Sequence, residues 1–492
     1  MSTPTLVTFM VYLVGMLGIG ILFYRLTNNL SDYVLGGRSL GPGVTALSAG
    51  ASDMSSWLLL GLPGYAYTAG MDALWICVGL AVGAYLNWQY VAGRLRTYTE
   101  IAQDSITVPD YLENRFKDST KLLRVISAIV ILLFFTFYAS SGLVGGAILF
   151  QETFGMTYNQ ALLIGAIVII SYTFLGGFLA VSWTDFVQGI LMFLALIVVP
   201  IVAINSINGW EETIAKVGSI DPSYLSAYDN MTLIGIVSLL AWGLGYFGQP
   251  HIITRFMAIR SRKDVPVARV IGMSWMVLGL IGAILTGFAG VAYFAESTVT
   301  VDNPEKVFIL FTDVLFNPWV SGILLAAILS AIMSTIDSQL LVSSSALAED
   351  FYGAILKKDA SQKELVWVGR LGVVVIALIA IFLAWTANPA NENASSILDL
   401  VSYAWAGFGA AFGPVIILSL FWKKMNRWGA LSGMLTGAIT VVVWAKLEGG
   451  IFNLYEIVPG FLICAFMIWL VSVVTGGSSM EIQEEFEQMQ TA

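Results

Sequence analysis

Apolar residues run along the chain in blocks of about 20, the length an α-helix needs to cross ~30 Å of hydrocarbon. About thirteen blocks are legible, near residues 5–24, 44–70, 73–93, 123–151, 160–178, 181–206, 232–254, 267–293, 318–347, 366–386, 398–421, 427–446 and 455–475. Short polar stretches separate them, and the longest, 94–122, is too short and mixed to fold alone. The pattern predicts an all-α membrane protein. One transmembrane domain spans 1–475, and a polar tail, 476–492, reads as a solvated cytoplasmic terminus.

Composition sharpens this. Hydrophobic residues make up 58% of the 492 positions and charged ones 11%, against roughly 25% charged in a soluble domain. The 48 glycines suit close helix packing in lipid. Cys77 and Cys464, far apart inside apolar blocks, suggest neither a disulfide framework nor a metal site. No positive residue precedes the first block and no cleavage pattern follows it, so a cleavable signal is not expected.

Charge predicts orientation. With the N-terminus outside, the inner loops carry Arg25, Arg38, the stretches 94–124 and 255–269, and the basic residues of 357–370 and 423–427. Of the 23 lysines and arginines, only Lys216, Lys306 and Lys446 then fall outside, as the positive-inside rule requires. The outer loops are acidic or neutral, with Glu211, Glu212, Asp221, Asp302 and Glu392. The net charge of −9 comes partly from the acidic tail, and no basic cluster suggests nucleic acid. The expected location is the plasma (inner) membrane, with the C-terminus cytoplasmic.

Two blocks are damaged as helices. The second contains Gly50-Ala51-Ser52-Asp53-Met54-Ser55-Ser56 and then Gly61-Leu62-Pro63-Gly64, and the seventh contains Gly243 through Pro250 and His251. Broken helix survives in a bilayer only where protein or a wet cavity serves the freed backbone groups. A pair of interrupted spans in corresponding places points to a transporter site. The breaks head two five-span units, 44–206 and 232–421, which the odd count makes opposite in orientation; 5–24 precedes them and 427–475 follows.

Asp53, near the middle of a span, costs about 2.5–3.5 kcal/mol to insert. It reads either as a cap on the broken helix or as a group that holds or guides a cation. Asp185 sits near the interface, where charge costs less, and Asp337 is either a helix-end residue or a second polar contact. Ser334 and Thr335 lie inside an apolar helix after Ala331. Such hydroxyls commonly bond their own preceding carbonyls, yet with carbonyls from an unwound helix they also make a hard oxygen set for a small cation. Gly243-Leu244-Gly245-Tyr246-Phe247-Gly248 matches a dinucleotide pattern but follows no strand. His251, the one histidine, has no nucleophile beside it. No enzyme activity and no organic cofactor are expected.

At these residues the chain resembles the sodium:solute symporter family over nearly its whole length. The likeness is strongest at Leu35 through Pro42, Val44 through Ser55, Gly176 through Asp185, Trp242 through His251, and Ser402 through Ala410. It implies two inverted five-helix repeats of the leucine-transporter type, with one extra helix before and two after. It further implies a sodium site of the Ala51, Met54 and Ala331 carbonyls with the Ser334 and Thr335 hydroxyls, supported by Ser52, Asp53 and Ser55. Arg38 and Asp185 would act at the inner side in coupling and sodium release. The implied solute is L-proline, against Tyr138, Trp242, Tyr246 and Pro250.

Side-chain chemistry agrees with that solute. Proline is a compact apolar ring with a carboxylate and an ammonium, so its pocket needs aromatic faces and a few aimed polar groups; an ammonium over Trp or Tyr gains about 0.5–2 kcal/mol. Trp242 and Tyr246 read equally as helix-packing aromatics. Ser56 stands where the family leads one to expect glycine, and would crowd the solute or alter its affinity. The rival readings are a sodium symporter for another small carboxylate such as pantothenate, a proton-driven carrier using Asp53 or Asp337, and a membrane enzyme or sensor. Sodium, L-proline and the bilayer are the expected partners, with no obligatory protein partner.

Overall fold

A computed structural model describes residues 2–24, 29–175, 177–388 and 395–491. Arg25, Gly176 and Glu392, used above, lie outside the described residues. Among the described residues every regular element is a helix, with a single isolated backbone bridge in place of any sheet.

Helix starts follow local chemistry. Proline opens α3 (Pro42–Asp53), α13 (Pro250–Ala258) and α16 (Pro318–Ser345), at the position where a missing N–H costs nothing. Thr232 caps α12 (Leu233–Leu240), Ser361 caps α17 (Gln362–Thr386), and a Ser396/Asp399 capping box starts α18 (Ile397–Phe421).

Nine of the described helices are long and apolar enough to cross a membrane, ten if the bent pair 233–248 and 250–258 is one crossing. That is fewer than thirteen for a local reason. The run 57–101 joins the second half of one apolar block to the next, α19 (Arg427–Trp444) is less apolar, and α9 (Tyr158–Leu175) runs up to the limit of the described residues. The outer surface of α17 is apolar between Trp367 and Trp385, both more than half exposed. They stand about 27 Å apart along the helix, near the thickness of a bilayer core whose interfaces favour tryptophan.

At the centre, α16 is almost wholly buried. Around it pack α1 (Thr3–Tyr24), α3, α8 (Leu122–Phe154), α10 (Phe178–Ser206) and α17. The second broken region packs between α5 (Leu74–Leu86) and α18.

One end of the fold is rich in arginine and tightly bonded. Leu40 and Ile259 form a parallel bridge, with Arg260 N–H donating to Leu40 C=O at 2.9 Å, so the start of α3 is joined to the end of α13. Arg96, on α6 (Gly93–Ile101), donates to the carbonyls of Ile259 and Arg260. Arg124 reaches Asp110, Glu113, Glu349 and Asp350. The tail, expected to be solvated, instead forms α21 (Met480–Thr491). Ile482, Phe486 and Met489 are buried at helical spacing, and Lys117 pairs with Glu481 and Glu485.

Candidate functional site

The first broken helix stops being helical at Met54, whose ψ of 75° takes its carbonyl out of line. The Asp53 carbonyl thereby loses its helical donor and gains three others: Ser55 N–H at 3.0 Å, Trp57 Nε1 at 3.1 Å and the Tyr138 hydroxyl at 3.2 Å. Full pairing of this kind is what makes a break tolerable at membrane depth. The Asp53 carboxylate is buried and accepts from the Tyr246 hydroxyl at 2.5 Å.

One turn earlier, the Ala51 carbonyl accepts from Ser334 Oγ at 2.8 Å and Thr335 Oγ1 at 3.3 Å, and Ser334 also reaches the Ala331 carbonyl at 3.3 Å. Four of the five expected sodium ligands therefore meet, from helices 280 residues apart in sequence, as neutral oxygens of the kind a small hard cation accepts. Met54 is buried at the break, its N–H donating to Gly50 C=O. Ser52 and Ser55 are turned to local backbone instead: Ser52 donates to Ala49 C=O, and Ser55 Oγ accepts from Trp57 N–H. Among the described residues, no three His, Cys, Asp or Glu side chains cluster as metal ligands would.

The second break is built differently. Residues 241–248 wind as a tight 3-10 helix, and Pro250 restarts the chain as α13. Trp242 lies 6.2 Å from Trp57, 6.4 Å from Trp405 and 5.7 Å from Tyr455, ring centre to ring centre, and Tyr246 meets Trp405 edge-on at 5.1 Å. Trp405 Nε1 donates to Trp242 C=O at 2.7 Å. The glycines of the apparent dinucleotide motif serve this packing, since a methyl at Gly245 would overlap the Trp405 indole. Tyr138, Trp242, Tyr246 and Pro250 are all buried around the two breaks.

Asp185 and Arg38 lie apart from that cluster. Asp185 is fully buried within the protein, and its carboxylate accepts from Ser48 at 2.6 Å and from Arg255 at 3.1 Å. Arg255 also donates to Ser48, Ser338 and the His251 carbonyl. The charge pattern places Arg255 with the basic residues of an inner loop. It lies within α13 and is 0% exposed, because the helix after the break carries it into the protein before the basic loop begins. Asp337 joins the same group through Ser338 at 3.4 Å. Arg38, in a left-handed backbone conformation (φ 53°), donates to Asp104, Thr99 and the carbonyls of Ser105 and Met257. It fastens the arginine-rich end.

Several partners escaped the sequence: Trp57, Gln249 and Trp405 around the aromatic cluster, and Ser48, Arg255 and Ser338 around Asp185. Each needs an approach between distant helices, though an arginine among Ile252, Ile253, Phe256 and Met257 was a visible anomaly. Ser56 packs its Cβ against Gly145 of α8, where a second methyl would clash, so the small residue opposite makes room for it. At the end away from the arginines, Glu305 accepts from Ile397 N–H, the first of α18, at 2.8 Å. Burial raises the Glu305 carboxyl to about 7.

A sequence profile of the sodium:solute symporter family matches residues 33–437. The chain is 55% identical over 475 residues to the high-affinity proline transporter PutP of Bacillus subtilis, covering 96% of this chain and 99% of that one. It is 53% identical over 491 residues to the sodium/proline symporter of Escherichia coli, covering 99% and 96%. Among solved structures, a substrate-bound, outward-open sodium-coupled sialic acid symporter superposes with a TM-score of 0.80 at 19% identity, over 97% of this chain and 99% of that one. The nucleobase-cation symporter Mhp1 gives 0.57 at 15%, over 93% and 98%.

Proposed function

Because the chain belongs to the sodium:solute symporter family, we propose that it is a secondary active transporter that carries L-proline into the cell with sodium by alternating access. The observation that carries this reading is the meeting of the Ala51 and Ala331 carbonyls with the Ser334 and Thr335 hydroxyls, beside a break whose Asp53 carboxylate is bonded to Tyr246 of the aromatic cluster. The proteins it matches over almost its whole length, named as proline transporters, set the solute.

Sodium is held by Ala51, Met54, Ala331, Ser334 and Thr335, and the two hydroxyls keep their protons but turn them away from the Ala51 carbonyl so that their oxygens face the ion. Asp53 balances that charge, with Ser52 and Ser55 stiffening the turn. Proline then sets its ring against Trp242 and Pro250 and its charged groups toward Tyr138, Tyr246 and the break. Arg38 and Asp185 act at the arginine-rich end, where bonds part to release both solutes. The membrane arrangement we assign is thirteen crossings in the plasma (inner) membrane: two inverted five-helix repeats, 44–206 and 232–421, one helix before and two after. The N-terminus is outside and the basic end inside.

One sodium with one zwitterion moves one charge. A membrane potential of ~100 mV contributes about 2.3 kcal/mol and a roughly tenfold sodium gradient about 1.4 kcal/mol, together enough for roughly a few hundredfold accumulation. Uptake of labelled L-proline into proteoliposomes, with an inward sodium gradient or with choline instead, tests the proposal. Concentrative uptake only with sodium is expected. Equal uptake in choline at fixed pH sinks sodium coupling. Inhibition by pantothenate with no proline uptake sends the solute to another carboxylate.

A further inference from the structure

The third apolar block carries one buried polar side chain that plays no part in the site as described. Gly79, Gly83 and Asn87 recur at four-residue spacing along α5 and the π-turn that continues it, 87–92. At the two glycines α5 lies directly on the second break, and a methyl on either would overlap the carbonyl groups of Leu240 or Gly243. One turn on, Asn87 Nδ2 donates to the Tyr246 carbonyl at 2.8 Å, with Asn87 only 1% exposed. That carbonyl needs an outside donor for a simple reason. In a continuous helix it would pair with the N–H four residues later, which is Pro250, and proline has none.

We propose that Asn87 is a positioning residue for solute and sodium. It holds the main chain of Tyr246, whose hydroxyl in turn holds the Asp53 carboxylate, so three segments are linked: α5, the second break and the first. A second observation points the same way. Asn87 Oδ1 and Asp53 Oδ1 are both buried acceptors with no protein donor, and the two residues line one small cavity of about 20 Å³, shared with Met54, Tyr246 and Met276. That volume admits one water molecule, whose two protons match the two acceptors. Asn87 thus steadies Asp53 twice, through the Tyr246 backbone and through the water.

The inference rests on Tyr246 and Asp53 belonging to the transport site, so the test includes Tyr246→Phe as a reference. Wild type, Asn87→Leu, Tyr246→Phe and the double variant, each the full chain in proteoliposomes, are assayed for proline KM, for the sodium concentration giving half-maximal uptake, and for kcat. Thermal unfolding reports folding separately. Asn87→Leu is expected to raise both concentrations on the order of tenfold, the loss of one buried hydrogen bond, with kcat changed much less. Added to Tyr246→Phe, it should cost clearly less than it costs alone, since the route through Tyr246 is already broken and only the one through the water is left to lose. Asn87→Ala carries the same test should the leucine variant not assemble. Unchanged concentrations in a folded Asn87 variant, or losses that multiply in the double variant, overturn this inference alone. A Tyr246→Phe protein with unaltered uptake overturns the placing of the site, and this inference with it.

Discussion

The two broken helices have the same defect and opposite furnishings. The first breaks among Ser52, Asp53, Ser55 and Ser56, and what it turns toward α16 is oxygen: the Ala51 carbonyl against Ser334 and Thr335. The second breaks among glycines and aromatics, and what it turns toward α18 is ring surface, Trp242 and Tyr246 against Trp405. Freed backbone is served at the first break by local donors together with Tyr138, Ser334 and Thr335, and at the second by the distant side chains of Asn87 and Trp405. An interrupted helix is therefore not a site by itself. The residues flanking the interruption decide whether it suits an ion or an apolar ring, and the Tyr246–Asp53 hydrogen bond makes the two one device.

The strongest blow to that pairing falls on Arg255, which follows the second break and bonds Ser48 ahead of the first. Arg255→Met should lower stability by about 3–5 kcal/mol, because Asp185 is left as a buried unpaired charge. Arg255→Met with Asp185→Leu should recover most of it, as thermal unfolding in detergent would register. Next in size is Glu305, which borders the far half of the first broken helix, with its backbone against Gly64. Its folded pKa lies above its unfolded value. Its contribution is therefore full below about pH 4.5 and is lost as pH rises through about 7, worth about 3 kcal/mol. Wild type should lose stability from pH 5 to 8 relative to Glu305→Gln; parallel profiles would deny the shift.

Replacing both Ser334 and Thr335 by alanine separates the two breaks functionally. Loss of supporting groups around an ion costs 10–100-fold, so loss of two ligands should raise the sodium requirement at least ~100-fold. Trp242→Leu is the complementary change. It should raise proline KM about tenfold yet leave sodium binding measured without proline as in wild type; a sodium defect there would erase the division between the breaks. Smallest is Ser56→Gly, with proline KM within roughly threefold, because Ser56 faces Gly145 and the change removes only a small buried group.

Much of this was legible in the chain. Apolar blocks, both interruptions and the oxygen-bearing segments announce themselves, since each depends on composition within a few residues. What depended on approach between helices did not. Asp185 and Arg255 are 70 residues apart, and Arg255 was hidden by its nearness to Arg260, Arg262 and Lys263 in the loop. Asn87, near the end of an apolar run, carries no sign in the sequence of the distant carbonyl it holds. The tail misled in another way: Ile482, Phe486 and Met489 fall on one helical face, but glutamates around them gave the segment a solvated look.

The bridge between Leu40 and Ile259 has a mechanical meaning. Main-chain bonds there rivet the ends of two half-helices that begin or finish at different breaks, and Arg38 and Arg96 add side-chain stays to the same strip of backbone. A push on either half-helix is transmitted to the other as shear across the rivet. This end of the molecule is accordingly braced as one strip, in which α3 and α13 share a single main-chain joint.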